Sequence, residues 1–77
     1  MTPLPKPTRL DDATLADFTA NKAWQGFHFE DDVDRRGARR RLYDTLPFGT
    51  IILDLELLRG PDIDGTIALV RTSYSHS

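Results

Sequence analysis

The run from Gly49 to Leu58, Gly-Thr-Ile-Ile-Leu-Asp-Leu-Glu-Leu-Leu, is the densest stretch of β-branched and aliphatic side chains in the sequence. No other segment restricts the fold so much. Its period of two puts Ile51, Leu53, Leu55 and Leu57 on one face of a strand and Thr50, Ile52, Asp54, Glu56 and Leu58 on the other. The first face is expected to meet the core. A second β-prone run, Thr66 to Thr72, follows Arg59-Gly60-Pro61-Asp62-Ile63-Asp64-Gly65, a connection rich in turn-forming residues, so the two runs are expected to form an antiparallel hairpin. If Arg71 pairs with Asp54 or Glu56 across that hairpin, Ile67 and Leu69 join Ile52 and Leu58 on the outer face. A sheet apolar on both sides would leave one face open to a partner or to a second copy of the chain.

A chain of 77 residues has room for one modest core. At this size roughly 60% of the unfolded surface is buried on folding. The absence of cysteine excludes disulfide staples and thiolate zinc sites, and a cytoplasmic location is expected. The opening Met1-Thr2-Pro3-Leu4-Pro5-Lys6-Pro7 lacks the apolar centre of a signal peptide, and no run reaches membrane-spanning length.

Residues 1–10 read as an extended Pro-rich arm, 11–74 as a single α+β domain and 75–77 as a tail. A proline-rich ligand is the functional alternative for the arm. A helix is expected from Asp11 or Asp12 to about Ala23, with aspartate at its cap and Leu10, Leu15 and Phe18 on one side. Trp24 to Phe29 reads as a short strand carrying Phe27 and Phe29 on one face, its aromatic rings serving the core or, alternatively, stacking on nucleobases. A second helix is expected within residues 31–46, ordered from about Asp34, with Ala38, Leu42 and Leu46 on its apolar face and Tyr43 at the edge. The expected architecture is two helices packed on one face of a two- or three-stranded antiparallel sheet, with a C-terminal hairpin.

Charge is segregated along the chain. Residues 11–34 carry Asp11, Asp12, Asp17, Glu30, Asp31, Asp32 and Asp34 against Lys22 alone, whereas residues 35–41 carry five arginines. Aspartates 31 and 32 precede Arg35 and Arg36 by four residues, the spacing of helical ion pairs. Projection puts Arg36, Arg40 and Arg41 on an outward arc, with Arg35 and Arg39 flanking the apolar face.

Motifs for catalysis are lacking. The histidines are His28, expected at the edge of the aromatic cluster, and His76 in the tail; with no cysteine, neither has a nucleophile partner that spacing would identify. The segment Asp62-Ile63-Asp64-Gly65 has the first acidic positions of a calcium loop but lacks the later ligand that closes one. The glycines stand singly, so no phosphate-binding loop is formed. Neither a metal nor a cofactor is expected, and no catalytic residue is assigned.

By elimination the expected function is non-enzymatic. The chain is expected to be a small protein-binding inhibitor or regulator, of the size class that includes phage- or mobile-element-encoded blockers such as anti-CRISPR proteins. Glu30, Asp31, Asp32 and Asp34 would engage the basic surface of a nucleic-acid-handling complex. The alternative is a small nucleic-acid-binding protein using Arg36, Arg40 and Arg41.

Overall fold

The computed structural model describes residues 6–74. Its elements are β1 (Thr8–Arg9), α1 (Asp12–Ala16), β2 (Trp24–Phe29), α2 (Arg35–Thr45), β3 (Thr50–Gly60) and β4 (Ile63–Tyr74). All strand pairings are antiparallel, in the order β1-β2-β4-β3. The α+β class is as expected, but the sheet has four strands. Thr8 and Arg9, assigned to the arm by sequence, pair with His28 and Phe27. Pro3, Pro5 and His76 lie outside the described residues.

Helix α2 covers one face of the sheet. Ala38 and Leu42 are fully buried there against Phe27, Phe29, Ile52, Leu55, Ala68 and Val70, with Leu46 and Leu57 packed at the margin. Asp34 is its N-cap, its carboxylate accepting from Gly37 N at 2.7 Å, which supplies one of the helix's orphan amides with a partner.

The other face is not open in its centre. Ile67 and Leu69 are 5% and 4% exposed. Gly26 pairs with Leu69, and a Cβ added to it would meet Leu15 Cδ1 at 2.8 Å, so the α1 segment lies on this side. The two helices therefore sit on opposite faces, not on one. The narrow apolar stripe of α1 is matched to that place: Leu10 and Leu15 cover Gly26, a position with no side chain of its own to hold them off.

Helix α1 is also shorter than periodicity implies, ending at Ala16 rather than near Ala23. Local side-chain bonds compete for the backbone beyond it. Asn21 N donates to Thr19 Oγ1 at 3.1 Å and Ala23 N donates to Asn21 Oδ1 at 2.9 Å, closing turns where helix would have continued.

The phase of β3 is the largest departure. Ile52 is 3% exposed, while Ile51 and Leu53 are 51% and 50% exposed. Pairing runs Ile52↔Thr72 and then Asp54↔Arg71, so Leu53 is the additional residue of a β-bulge. The bulge brings Ile52 into line with Leu55 and Leu57 on the α2 side and turns Ile51 and Leu53 away from the core. Arg71 does meet Asp54, its Nε donating at 2.7 Å, and Leu58 pairs with Ile67; Ile52, expected outside, is buried, while Ile51 and Leu53, expected in the core, are exposed. The connection to β4 is tighter than expected too, since Gly60 pairs with Ile63 and only Pro61 and Asp62 form the turn.

This assignment of faces has a direct energetic consequence. Ile52→Ala is expected to cost about 2–5 kcal/mol of unfolding free energy, whereas Leu53→Ala should stay within about 0.5 kcal/mol. Denaturant unfolding of both variants checks this, and the reverse order would show an unbulged strand.

Candidate acidic interface

The loop between β2 and α2 carries Glu30, Asp31, Asp32 and Asp34, all exposed at the residue level. Three anchors fix its path. Arg41 reaches back from α2 to grip Asp31 with both guanidinium nitrogens, Nη1 to Oδ2 at 2.8 Å and Nη2 to Oδ1 at 3.0 Å. Thr66, fully buried in β4, donates its hydroxyl to Asp31 O at 3.1 Å and accepts from Val33 N at 3.3 Å. Arg59 of β3 donates to Val33 O, and the Val33 side chain is itself buried.

Arg41 corrects the sequence reading most sharply. Expected on the outward arc with Arg36 and Arg40, it is 9% exposed, and its guanidinium carbon lies 4.8 Å from the centre of the Phe29 ring. A planar guanidinium can stack on an aromatic face and bind a carboxylate through two parallel bonds, which a lysine ammonium cannot do. Asp31 therefore pairs with the arginine ten positions on, not with Arg35. The arginine's grip holds the Asp31 carboxyl below its ordinary value of 3.8. At the start of α1, Thr14 does the same for Asp11 through its side chain and its backbone amide.

The hairpin tip adds carboxylates that local sequence did not group with this loop. Gly65 has φ 80°, and a Cβ there would fall 2.1 Å from Phe29 O and 2.8 Å from Glu30 C. The start of β4, just past the hairpin turn, thus lies directly on the backbone where β2 passes into the acidic loop. His28 Nε2 is 2.6 Å from Asp64 O; a carbonyl can only accept, so Nε2 is the protonated nitrogen. Asp62 and Asp64, both exposed, stand at the same end of the molecule as Glu30–Asp34. What would have revealed them is the β2–β4 pairing, a contact between segments 37 residues apart at Phe29 and Thr66.

The available charge is therefore redistributed relative to expectation. Among the described residues the ion pairs are Arg41–Asp31 and Arg71–Asp54. Asp31 is committed to Arg41 and Asp34 to the α2 cap, while Glu30, Asp32, Asp62 and Asp64 form no ion pair. On α2, Arg36 and Arg40 are exposed, as are Arg35 and Arg39, but Arg41 is withdrawn from any nucleic-acid surface. Of the aromatics weighed for base stacking, Phe27 and Phe29 are core residues and Trp24 is half-buried. His28 faces away from them, towards Phe18 and Ile67. No three histidine, aspartate or glutamate side chains among the described residues are grouped to hold a metal ion. No helix among them is long and apolar enough to cross a membrane.

Comparison with known proteins finds no matching family model, no matching curated protein and no matching solved structure.

Two outcomes follow for the anchors. Because the folded-state value of Asp31 is depressed, its stabilising contribution is complete above 3.8 and is lost as pH falls below that value through the lower folded one. Thermal melts of the wild type should lose stability in that acid window, and Asp31→Asn should start lower and respond less to acid; identical pH profiles would contradict the pairing. Gly65→Ala should cost more than about 2 kcal/mol, since it adds left-handed backbone strain to a clash with a neighbouring strand. A neutral result in urea unfolding would show that Gly65 is not seated on Glu30.

Proposed function

We propose that this chain is a non-enzymatic, protein-binding inhibitor or regulator that works by occlusion. Its acidic end engages a basic protein surface that otherwise holds nucleic acid, the mode by which small phage- or mobile-element-encoded blockers such as anti-CRISPR proteins can disable a nucleic-acid-handling complex. The observation that carries this reading is the seating of Gly65, at the start of β4, on Glu30. It brings Asp62 and Asp64 to the same end as Glu30 and Asp32, four carboxylates with no ion pair among the described residues, beside a loop held by Arg41, Thr66 and Arg59.

Carboxylates carried on such a frame can stand in for phosphates. Complementary potential raises the encounter rate and selects the partner, while the body of the domain blocks access by volume. Fixing the backbone before binding also lowers the ordering cost of association. Asp31 and Asp34 take a positioning part in this arrangement, holding the loop and starting α2, rather than contacting the partner first. The nucleic-acid alternative retains Arg36 and Arg40 but loses Arg41 to the interior. A cytoplasmic site of action belongs to the same proposal.

The test is charge reversal at the four unpaired positions. In nuclease-treated native lysate, the tagged wild type is expected to retain a stoichiometric protein partner that added nucleic acid displaces. Glu30→Lys, Asp32→Lys, Asp62→Lys and Asp64→Lys together should weaken that binding by a hundredfold or more, since like charges placed together cost several kcal/mol. The circular dichroism spectrum should not change. Unaltered capture by the folded variant, or no retained protein with the wild type, would reject the reading.

A further inference from the structure

The long outer edge of β3 is a second surface, independent of the acidic end. Strand β3 has 11 residues and is the last strand of the sheet, whereas the opposite edge is closed by the two residues of β1. No described strand pairs with this edge, and an edge of this length presents main-chain donors and acceptors to an extended chain. Tyr43 closes its beginning, since Ile52 N donates to the Tyr43 hydroxyl at 3.0 Å, so the Ile52 amide points away from β4. Beyond that point lies a shallow hollow lined by Arg35, Arg39 and the segment Ile52 to Leu55. Arg35, Arg39 and Tyr43 recur every four residues and make one row along α2, beside the edge. Neither arginine forms an ion pair with a described residue.

We infer that this edge binds an extended acidic segment of a partner protein, which adds as a fifth strand beside β3. Side chains of an added strand alternate between the two faces of the sheet. Those on the α2 side meet Arg35 and Arg39, which call for carboxylates. Those on the other side meet Ile51, half exposed, which calls for an apolar group, and the bulge leaves Leu53 half exposed at the edge itself. Glu56, exposed on that second side, repels an acid placed there and so selects the phase of the incoming strand. The recognised chemistry is an alternation of acidic and apolar residues in extended conformation.

A second copy of the chain is a poorer occupant. Pairing β3 antiparallel with itself in the central registers sets Asp54 and Glu56 opposite one another or opposite themselves, and like charges so placed are destabilising. Nucleic acid offers the guanidiniums their charge but has no peptide groups to continue the ladder.

The probe is a fluorescein-labelled peptide of alternating Glu and Val, as long as the 11 residues of β3, followed by fluorescence anisotropy. It should bind saturably, and a block sequence of the same composition should bind at least about tenfold more weakly, as should an alternating peptide N-methylated on one edge. Arg35→Glu with Arg39→Glu, both exposed and outside the core, should reduce affinity by a similar factor while the quadruple reversal at the acidic end leaves it unchanged. If the arginine variant fails to fold, the N-methylated peptide on the wild type decides alone. Equal binding of the alternating and block peptides would overturn the inference, as would tighter binding of a single-stranded oligonucleotide of equal charge. A dimer of the free protein in sedimentation, or no binding at about millimolar peptide, would also overturn it.

Discussion

The bond between Arg41 and Asp31 over the Phe29 ring joins three parts of the molecule. It ties the middle of α2 to the start of the acidic loop and to the end of β2. The arginine side chain is 10% exposed and the aspartate 47%, so the desolvation cost falls mainly on the guanidinium. That cost is offset by two charge-assisted bonds and by the aromatic face, without which a buried cation would be expected to destabilise the fold. Together with the bonds from Thr66 and Arg59 it sets the loop's direction and the outward display of Glu30 and Asp32, while Ala38 and Leu42 dock α2 on the sheet.

The β-bulge at Leu53 is the second constraint, and it acts on the opposite edge. By adding one residue between Ile52 and Asp54, it lets a strand with apolar residues on both faces send Ile52 to the core and leave Ile51 and Leu53 at the surface. The same shift keeps Asp54 opposite Arg71. Surface apolarity at β3 is thus a consequence of register, and it falls beside the arginine row of α2. The acidic loop and the arginine row of α2 are charged oppositely, and both are held by α2 and β3.

Much of this was legible in local sequence. An aspartate cap at Asp11 or Asp12, a second helix ordered from about Asp34, its Ala38–Leu42–Leu46 face, the Phe27–Phe29 alternation and the pairing of Arg71 with Asp54 or Glu56 all depend on short-range periodicity or on a single hairpin. The failures share a cause, which is that the deciding contact lies far along the chain or that the pattern is degenerate. Ile51, Ile52 and Leu53 are all aliphatic, so alternation could not choose which of them faces inward. Arg41 and Arg40 look alike until β2 brings Phe29 beneath one of them. Asp62 and Asp64 read as ordinary turn residues until Gly65 seats the start of β4 on Glu30. Thr8 and Arg9 read as tail until the edge of β2 offers them partners.

The interior position of Arg41, stacked on Phe29 and bonded to Asp31, can be read from the side-chain NMR spectrum of the protein. With Arg41 stacked on Phe29, its side-chain protons should be moved upfield by the ring current and should give cross-peaks to the Phe29 ring, unlike those of the exposed Arg36 and Arg40. Arg41 resonances at the same positions as those of Arg36 and Arg40, with no cross-peak to Phe29, would contradict the account.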